Sequence, residues 1–259
     1  MLSPHSALAG ALHAGAGTRH APRRVLVLGG AGALGAAVLE QLLSSHRFER
    51  VGVLAGASLQ PALRDLHVVT DNAAAQAAFA ADTALIVFDR ERHANGRDAA
   101  FARAHPGELP RHAQALLQAG VRCLIVVVPH APALLPQALK LGLANLDEGA
   151  VAALGFTQLV FMRMAQEGAG AAPGTLSPPR RLAAWMLSQL RWMVPQREQA
   201  VRVDTVARVA AALALALPAA ATGTRVLPPE LLWQAAQGGV TAGDLVASWL
   251  AGRPVSQAV

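Results

Sequence analysis

Residues 25–43 read VLVLGGAGALGAAVLEQLL, an apolar run that breaks into four glycines within seven positions (Gly29, Gly30, Gly32, Gly35) and resumes with apolar residues at helical spacing. That pattern predicts a buried strand, a tight turn and a helix. In the spacing Gly29-x-x-Gly32-x-x-Gly35 the first glycine permits the turn, the second lets a phosphate approach the backbone, and the third lets helix and strand pack closely. A phosphate there would sit on the helix N-terminus, where unpaired N–H groups and the helix dipole both favour negative charge. The stretch Gly29, Gly30, Ala31, Gly32, Ala33, Leu34 and Gly35 is the expected cradle of a dinucleotide.

The same alternation continues along the chain. RVGVLA (50–55), LHVVT (66–70), TALIVF (83–88), RCLIVVV (122–128) and TQLVFMR (157–163) read as further strands. Helical patterns lie between them over 33–45, 72–80, 110–119 and 134–154, the last ended by Gly155. Strands that are continuous apolar runs separated by helices imply a parallel sheet covered on both faces. The expected fold is therefore α/β, a doubly wound, mainly parallel sheet of the Rossmann type with strand order 3-2-1-4-5-6, helices on both faces and a small C-terminal helical lobe.

Three segments follow from this reading. Residues 1–23 show no periodic pattern and are expected to form a disordered leader, 24–166 the dinucleotide-binding core, and 167–259 a linker and helical lobe packed on that core. The linker is the Gly/Pro/Ser-rich EGAGAAPGTLSPPR (167–180); beyond it come a helix bearing Trp185 and Trp192, an Ala-rich helix over 203–217, a strand at 224–227 and two closing helices split by Gly238 and Gly239. These elements are expected to lie over the carboxyl edge of the sheet.

Composition narrows the partners. Hydrophobic residues are 53% and charged residues 15% of 259, as in a packed rather than disordered chain. The formal charge of +6 is spread along the chain, with pairs such as Arg23–Arg24 and Arg180–Arg181 but no zinc-finger spacing or aromatic RNA-binding motif, so no nucleic-acid partner is expected. The single cysteine, Cys123, lies in an apolar run; no disulfide and no metal site are expected, and a reducing cytoplasm is the natural compartment. The longest apolar stretch, Val209 to Gly223, is shorter than the roughly 18–20 residues of a spanning helix and contains Pro218, so no transmembrane segment is expected.

The cofactor reading rests on strand ends. An acid after the second strand, about 20 residues past the glycines, would bond the ribose of NAD. Here the sequence is LAGAS (54–58), without an acid, which favours NADP(H) slightly over NAD(H) because nothing repels the extra phosphate. Ala55, Asp71 and Phe88, at the ends of the second to fourth strands, complete the expected dinucleotide contacts. Asp71 has two candidate roles, capping the next helix or contacting adenine, and capping is favoured.

With these residues in view, the chain resembles the atypical short-chain dehydrogenase/reductase family, in particular its NmrA-like and Tat-interacting-protein-like branch. The resemblance is carried by VLVLGGAGALGAAVLEQLL, LHVVTDN, AGVRCLIVVV and ALGFTQLVFMRMA, over roughly 24–240, and only the glycine turn is specific. It implies a Rossmann fold and a nicotinamide dinucleotide. It also implies a serine after the fifth strand and a Tyr-x-x-x-Lys pair on the following helix, with the tyrosine moving the proton and the lysine lowering its pKa. The chain has no tyrosine; VVVPHAP places Pro129 and His130 where the serine would fall, the sole lysine, Lys140, stands near the tyrosine's place, and Ala144 lies four residues on. Where the family's sixth strand ends in Arg-Pro, this sequence has Arg163 and Met164.

Three readings of function stay open. The first is an NAD(P)-binding protein without standard dehydrogenase chemistry. The second is an NAD(P)H-dependent oxidoreductase acting on an unidentified small molecule through a rebuilt acid/base site, with Asp89, His93, His130 and Lys140 as candidates beside Arg90 and Asn95. The third is an interaction module in which the Trp185/Trp192 helix closes over a substrate, is buried in a homodimer or lies on a membrane surface.

Overall fold

The structure is a computed structural model, and it describes residues 23–56, 65–89, 101–130, 147–165 and 201–253. Seven parallel strands form one sheet: β1 (Arg24–Leu28), β2 (Arg50–Ala55), β3 (Leu66–Thr70), β4 (Thr83–Val87), β5 (Cys123–His130), β6 (Gln158–Ala165) and β7 (Gly223–Leu227). Their order is β3-β2-β1-β4-β5-β6-β7, the doubly wound arrangement expected, extended by one strand. The switch point, where the order reverses, lies between β1 and β4, which pair from Val25↔Thr83 to Leu28↔Ile86.

The apolar runs form central strands because both of their faces are covered. Alternate residues divide cleanly. Val25, Val27, Leu85, Val87, Ile125 and Val127 join one core, packed by α1 (Ala33–Ser44), α4 (Val203–Ala216), α5 (Pro229–Ala236) and α6 (Ala242–Leu250). Leu26, Leu28, Ile86, Leu124 and Val126 join the other, packed by α2 (Ala73–Phe79) and α3 (Leu109–Gln118). A further helical stretch spans 147–152 and supplies Val151 to this second core. The edge strands β3 and β7 are more exposed, as edges that need no second cover can be.

Most element boundaries fall within two residues of the expected ones, and the differences have local causes. The Ala-rich helix ends at Ala216 and tightens into a 3-10 turn over Leu217–Ala219, where Pro218 cannot continue the α-helical hydrogen bonds. Strand β5 runs on through Pro129 and His130, which pair with Met164 and Ala165 of β6. The expected strand at 224–227 joins the main sheet beside β6 rather than standing outside it. Helices α4 to α6 accordingly lie on the α1 face of the sheet, not over its carboxyl edge. Asp71 does not cap α2: the N-cap is Asn72, whose Oδ1 accepts a hydrogen bond from the Ala75 N–H at 2.8 Å. The Asp71 carboxylate instead accepts from Gln76 Nε2 at 3.0 Å.

Candidate functional site

The carboxyl end of β1 feeds directly into the glycine turn. Gly29 takes φ +93°, a left-handed conformation that side chains rarely adopt, and a Cβ on it would lie 2.1 Å from the Val87 carbonyl oxygen at the end of β4. Helix α1 then packs back onto the turn, so that a Cβ on Gly35 would stand 2.0 Å from the Gly29 carbonyl oxygen. Two of the three spaced glycines are thus required by backbone geometry alone.

The middle glycine is different. Gly32 is the N-cap residue of α1; no side chain caps the helix from within, and its first turn carries no acid. The first N–H groups of a helix need outside partners. For Leu34 that partner is Asp89, two residues beyond β4, whose Oδ2 accepts the Leu34 N–H at 2.7 Å. The same carboxylate lies against the Gly32 backbone: a Cβ on Gly32 would meet Asp89 Oδ2 at 2.1 Å and the Asp89 Cβ and Cγ at 2.6 Å. The close approach that glycine permits at this position is therefore used by an anion of the chain itself.

The neighbouring strand end is also covered. Ala55, the last residue of β2, is fully buried, and its carbonyl accepts the Asp71 N–H at 2.9 Å on the β3 side. On its other side β1 has already turned away into the glycines. There Phe101 forms an antiparallel bridge to Ala55, and the Ala102 N–H donates to the Leu54 carbonyl at 3.0 Å. Phe101 packs toward the α1 core and Ala102 toward the opposite one, as successive residues of a strand do. Neither residue stands out in the sequence, because a two-residue bridge has no periodicity.

The remaining expected site residues are placed as follows. Phe88 is buried with the α2/α3 core, and its N–H donates to the Val127 carbonyl at 3.2 Å. His130 closes β5 at the carboxyl edge, the edge at which β1 ends in the glycine turn. Arg163, near the end of β6, forms an ion pair of 2.9 Å with Glu148. His93, Lys140, Arg90, Asn95, Ala144, the 167–180 linker and the Trp185/Trp192 helix lie outside the described residues, as does the leader up to residue 22.

A cavity of about 440 Å³ lies elsewhere, lined by Thr205, Arg208, Gly238, Gly239 and Thr241 among others. Its guanidinium is committed internally, Arg208 donating to Thr205 Oγ1 at 3.1 Å, and among the described residues its lining holds no acid, histidine or cysteine. Among the described residues no group of His, Cys, Asp and Glu could hold a metal ion, and no helix is long and apolar enough to cross a membrane.

The backbone of the glycine turn presents a helix N-terminus without a side-chain cap of its own, seated beside the switch point, where doubly wound sheets bind ligands. As the side chains stand, the place above Gly32 is taken by Asp89.

No family model and no curated protein matches the chain. Solved structures do match in fold. A nucleoside-diphosphate-sugar epimerase from Staphylococcus aureus is similar at 18% identity and TM-score 0.47, over 80% of this chain and 70% of that one. UDP-glucose 4-epimerase from Brucella ovis, solved in complex with NAD, is similar at 18% identity and TM-score 0.43, over 79% and 76%. AtPrR2, solved with NADP+ and (+)pinoresinol, is similar at 17% identity and TM-score 0.49, over 92% and 78%.

Proposed function

We propose that the protein binds a nicotinamide dinucleotide, NADP(H) in preference to NAD(H), at the glycine turn, without the tyrosine–lysine chemistry of short-chain dehydrogenases. The observation that carries this reading is the N-terminus of α1, which begins at Gly32 with no side-chain cap of its own. A Cβ on Gly29 would strike the Val87 carbonyl of β4 and one on Gly35 the Gly29 carbonyl, so neither could carry one in this backbone. A helix start of this kind at the end of a central parallel strand is suited to a diphosphate.

In this reading the backbone of residues 29–35 holds the diphosphate, and the absence of an acid over 54–58 leaves room for a 2′-phosphate. When bound, the nicotinamide would supply a hydride donor or acceptor. The chain supplies no tyrosine to move the accompanying proton. The position of His130 at the carboxyl edge supports a second reading, in which its imidazole replaces that group.

The test is ligand linkage. NADP+ at about 100 times its Kd should stabilise the fold by about 2.7 kcal/mol, which for a chain of this size raises Tm by roughly 5–10 °C. Gly32→Asp should abolish the rise. No shift with either nucleotide would remove the reading. Substrate-dependent nicotinamide oxidation that survives in wild type and falls at least about tenfold in His130→Ala would select the second one.

A further inference from the structure

We propose that the protein carries its own occupant of the dinucleotide groove, with the Asp89 carboxylate in the diphosphate's place and the Phe101–Ala102 backbone in the place of the adenosine ribose. A dinucleotide then binds only by displacing both. The inference rests on reading the groove as a dinucleotide site, and it makes that site one that is held closed from within.

Two independent contacts support it. At the turn, the Leu34 N–H that a phosphate oxygen would use is bonded to Asp89 Oδ2 at 2.7 Å, and the carboxylate sits on the Gly32 face that glycine keeps clear. A carboxylate and a phosphate oxygen are alternative acceptors for the same helix N-terminus, so Asp89 stands in for the ligand's charge. The two compete for the same Leu34 N–H, and their negative charges repel.

At the neighbouring strand, the β1 side of Leu54 and Ala55 is where a ribose meets the end of the second strand in a dinucleotide fold. That side is closed by the bridge Ala55↔Phe101 and by the Ala102 N–H on the Leu54 carbonyl at 3.0 Å. The two contacts lie at the two ends of one chain segment, residues 89 and 101–102. Strand β4 delivers the first to the phosphate position, and the return toward α3 delivers the second to the ribose position. A ligand spanning both positions must displace both contacts.

The contacts divide the ligand into separable parts. Inorganic pyrophosphate competes with Asp89 alone, whereas NADP+ competes with Asp89 and with the bridge. Asp89→Ala removes the carboxylate from the turn, Asp89→Asn keeps an acceptor for Leu34 without the charge, and Ala102→Pro deletes the N–H that bonds Leu54.

The experiment measures Kd for pyrophosphate, NADP+ and NAD+ by calorimetry on the full chain, wild type and variants, with Tm recorded alongside. In Asp89→Ala, pyrophosphate and NADP+ should each bind at least about tenfold tighter than in wild type, since a charge-assisted hydrogen bond no longer has to be broken first. Asp89→Asn should fall between. Ala102→Pro should tighten NADP+ and leave pyrophosphate unchanged; if that variant does not fold, the two Asp89 variants decide alone. Equal or weaker binding of NADP+ by Asp89→Ala, with wild type still binding it, overturns the inference and leaves the nucleotide reading intact. Tighter pyrophosphate in Asp89→Ala with no dinucleotide bound by any variant overturns the nucleotide reading and keeps Asp89 as the occupant of an anion seat. Failure of Asp89→Ala to bind pyrophosphate or dinucleotide overturns both.

Discussion

Two aspartates bracket β4, and each accepts a backbone N–H from across the sheet. At the amino edge, Asp82 Oδ1 takes the Arg24 N–H of β1 at 3.0 Å, while its carbonyl takes those of Arg122 and Cys123 at 3.0 and 3.1 Å. At the carboxyl edge, Asp89 Oδ2 takes the Leu34 N–H of α1 at 2.7 Å. The chemistry is the same and the consequence is not. The amino edge of a doubly wound sheet has no ligand to receive, so Asp82 is a permanent tie between β1, β4 and β5. The carboxyl edge is where such sheets bind ligands, so the tie made by Asp89 occupies the place we propose for one.

Substitutions at either edge put this contrast at risk, and the largest effect is expected where neither aspartate is involved. Gly35→Ala forces a Cβ against the Gly29 carbonyl, backbone that cannot turn aside, and should cost about 3 kcal/mol in chemical denaturation. Gly32→Ala first meets the Asp89 side chain rather than backbone, at its Oδ2, Cγ and Cβ; it should cost about 2 kcal/mol, and part of that should vanish in an Asp89→Ala background, which removes the Oδ2 and Cγ contacts and keeps the Cβ one, a coupling that a double-mutant cycle reads directly. Equal costs for the two glycines, or additive effects of Gly32→Ala and Asp89→Ala, would deny that Asp89 is what fills the space above Gly32.

Asp82→Ala should cost about 2 kcal/mol by orphaning the Arg24 N–H, and no anion should restore it. Its titration gives a second handle. Burial pushes the Asp82 carboxyl above its usual range, against the opposing pull of the N–H groups of Arg24, Asp82 and Thr83. The folded state therefore holds this proton more tightly than the unfolded chain, and stability falls as pH rises from the unfolded carboxylate pKa through the higher folded one. Asp82→Asn should flatten that decline in denaturant midpoints. A decline of the same slope in the variant would place its origin elsewhere.

The smallest effect is next door. Cys123, whose thiol donates to Gln158 Oε1 at 2.9 Å, is pushed up to about 11 by burial and by the nearby Asp82 charge. Its contribution to stability is complete below the ordinary thiol pKa of 9.0 and is lost as pH rises toward about 11. At pH 8 a thiol reagent should label Cys123 only as fast as the chain opens. Rapid labelling of the native protein would show the amino edge to be looser than this packing.

Much of this was legible in the chain because burial on two faces leaves an unambiguous record. The runs RVLVL, RVGVLA and TALIV are strands buried along nearly their whole length, and they fall where the sequence puts them. Pro129 and His130 hid the end of β5, since a proline and a polar residue after an apolar run read as a loop. Residues 224–227 read as a strand, but the alternation could not say that its partner would be β6. Asp71 and Asn72 are adjacent and both can cap; only the geometry selects Asn72. Within the site, the glycine turn was visible and Asp89 was placed at the right edge of the sheet. Its contact with Leu34, 55 positions away, depends on one rotamer and leaves no trace in spacing.

The placement of α4 has a consequence for how the chain is made. It packs beside α1 on a sheet face already defined by Val25, Val27, Val87 and Val127, yet it comes from residues 203–216. At roughly 5–20 residues per second, a ribosome adds the intervening stretch over several seconds. During that interval an aliphatic surface lies open on the nascent sheet, while the opposite face can already be closed by α2 and α3. A chain cut short before α4 would keep that surface for good, as a nucleus for aggregation and a target for chaperones.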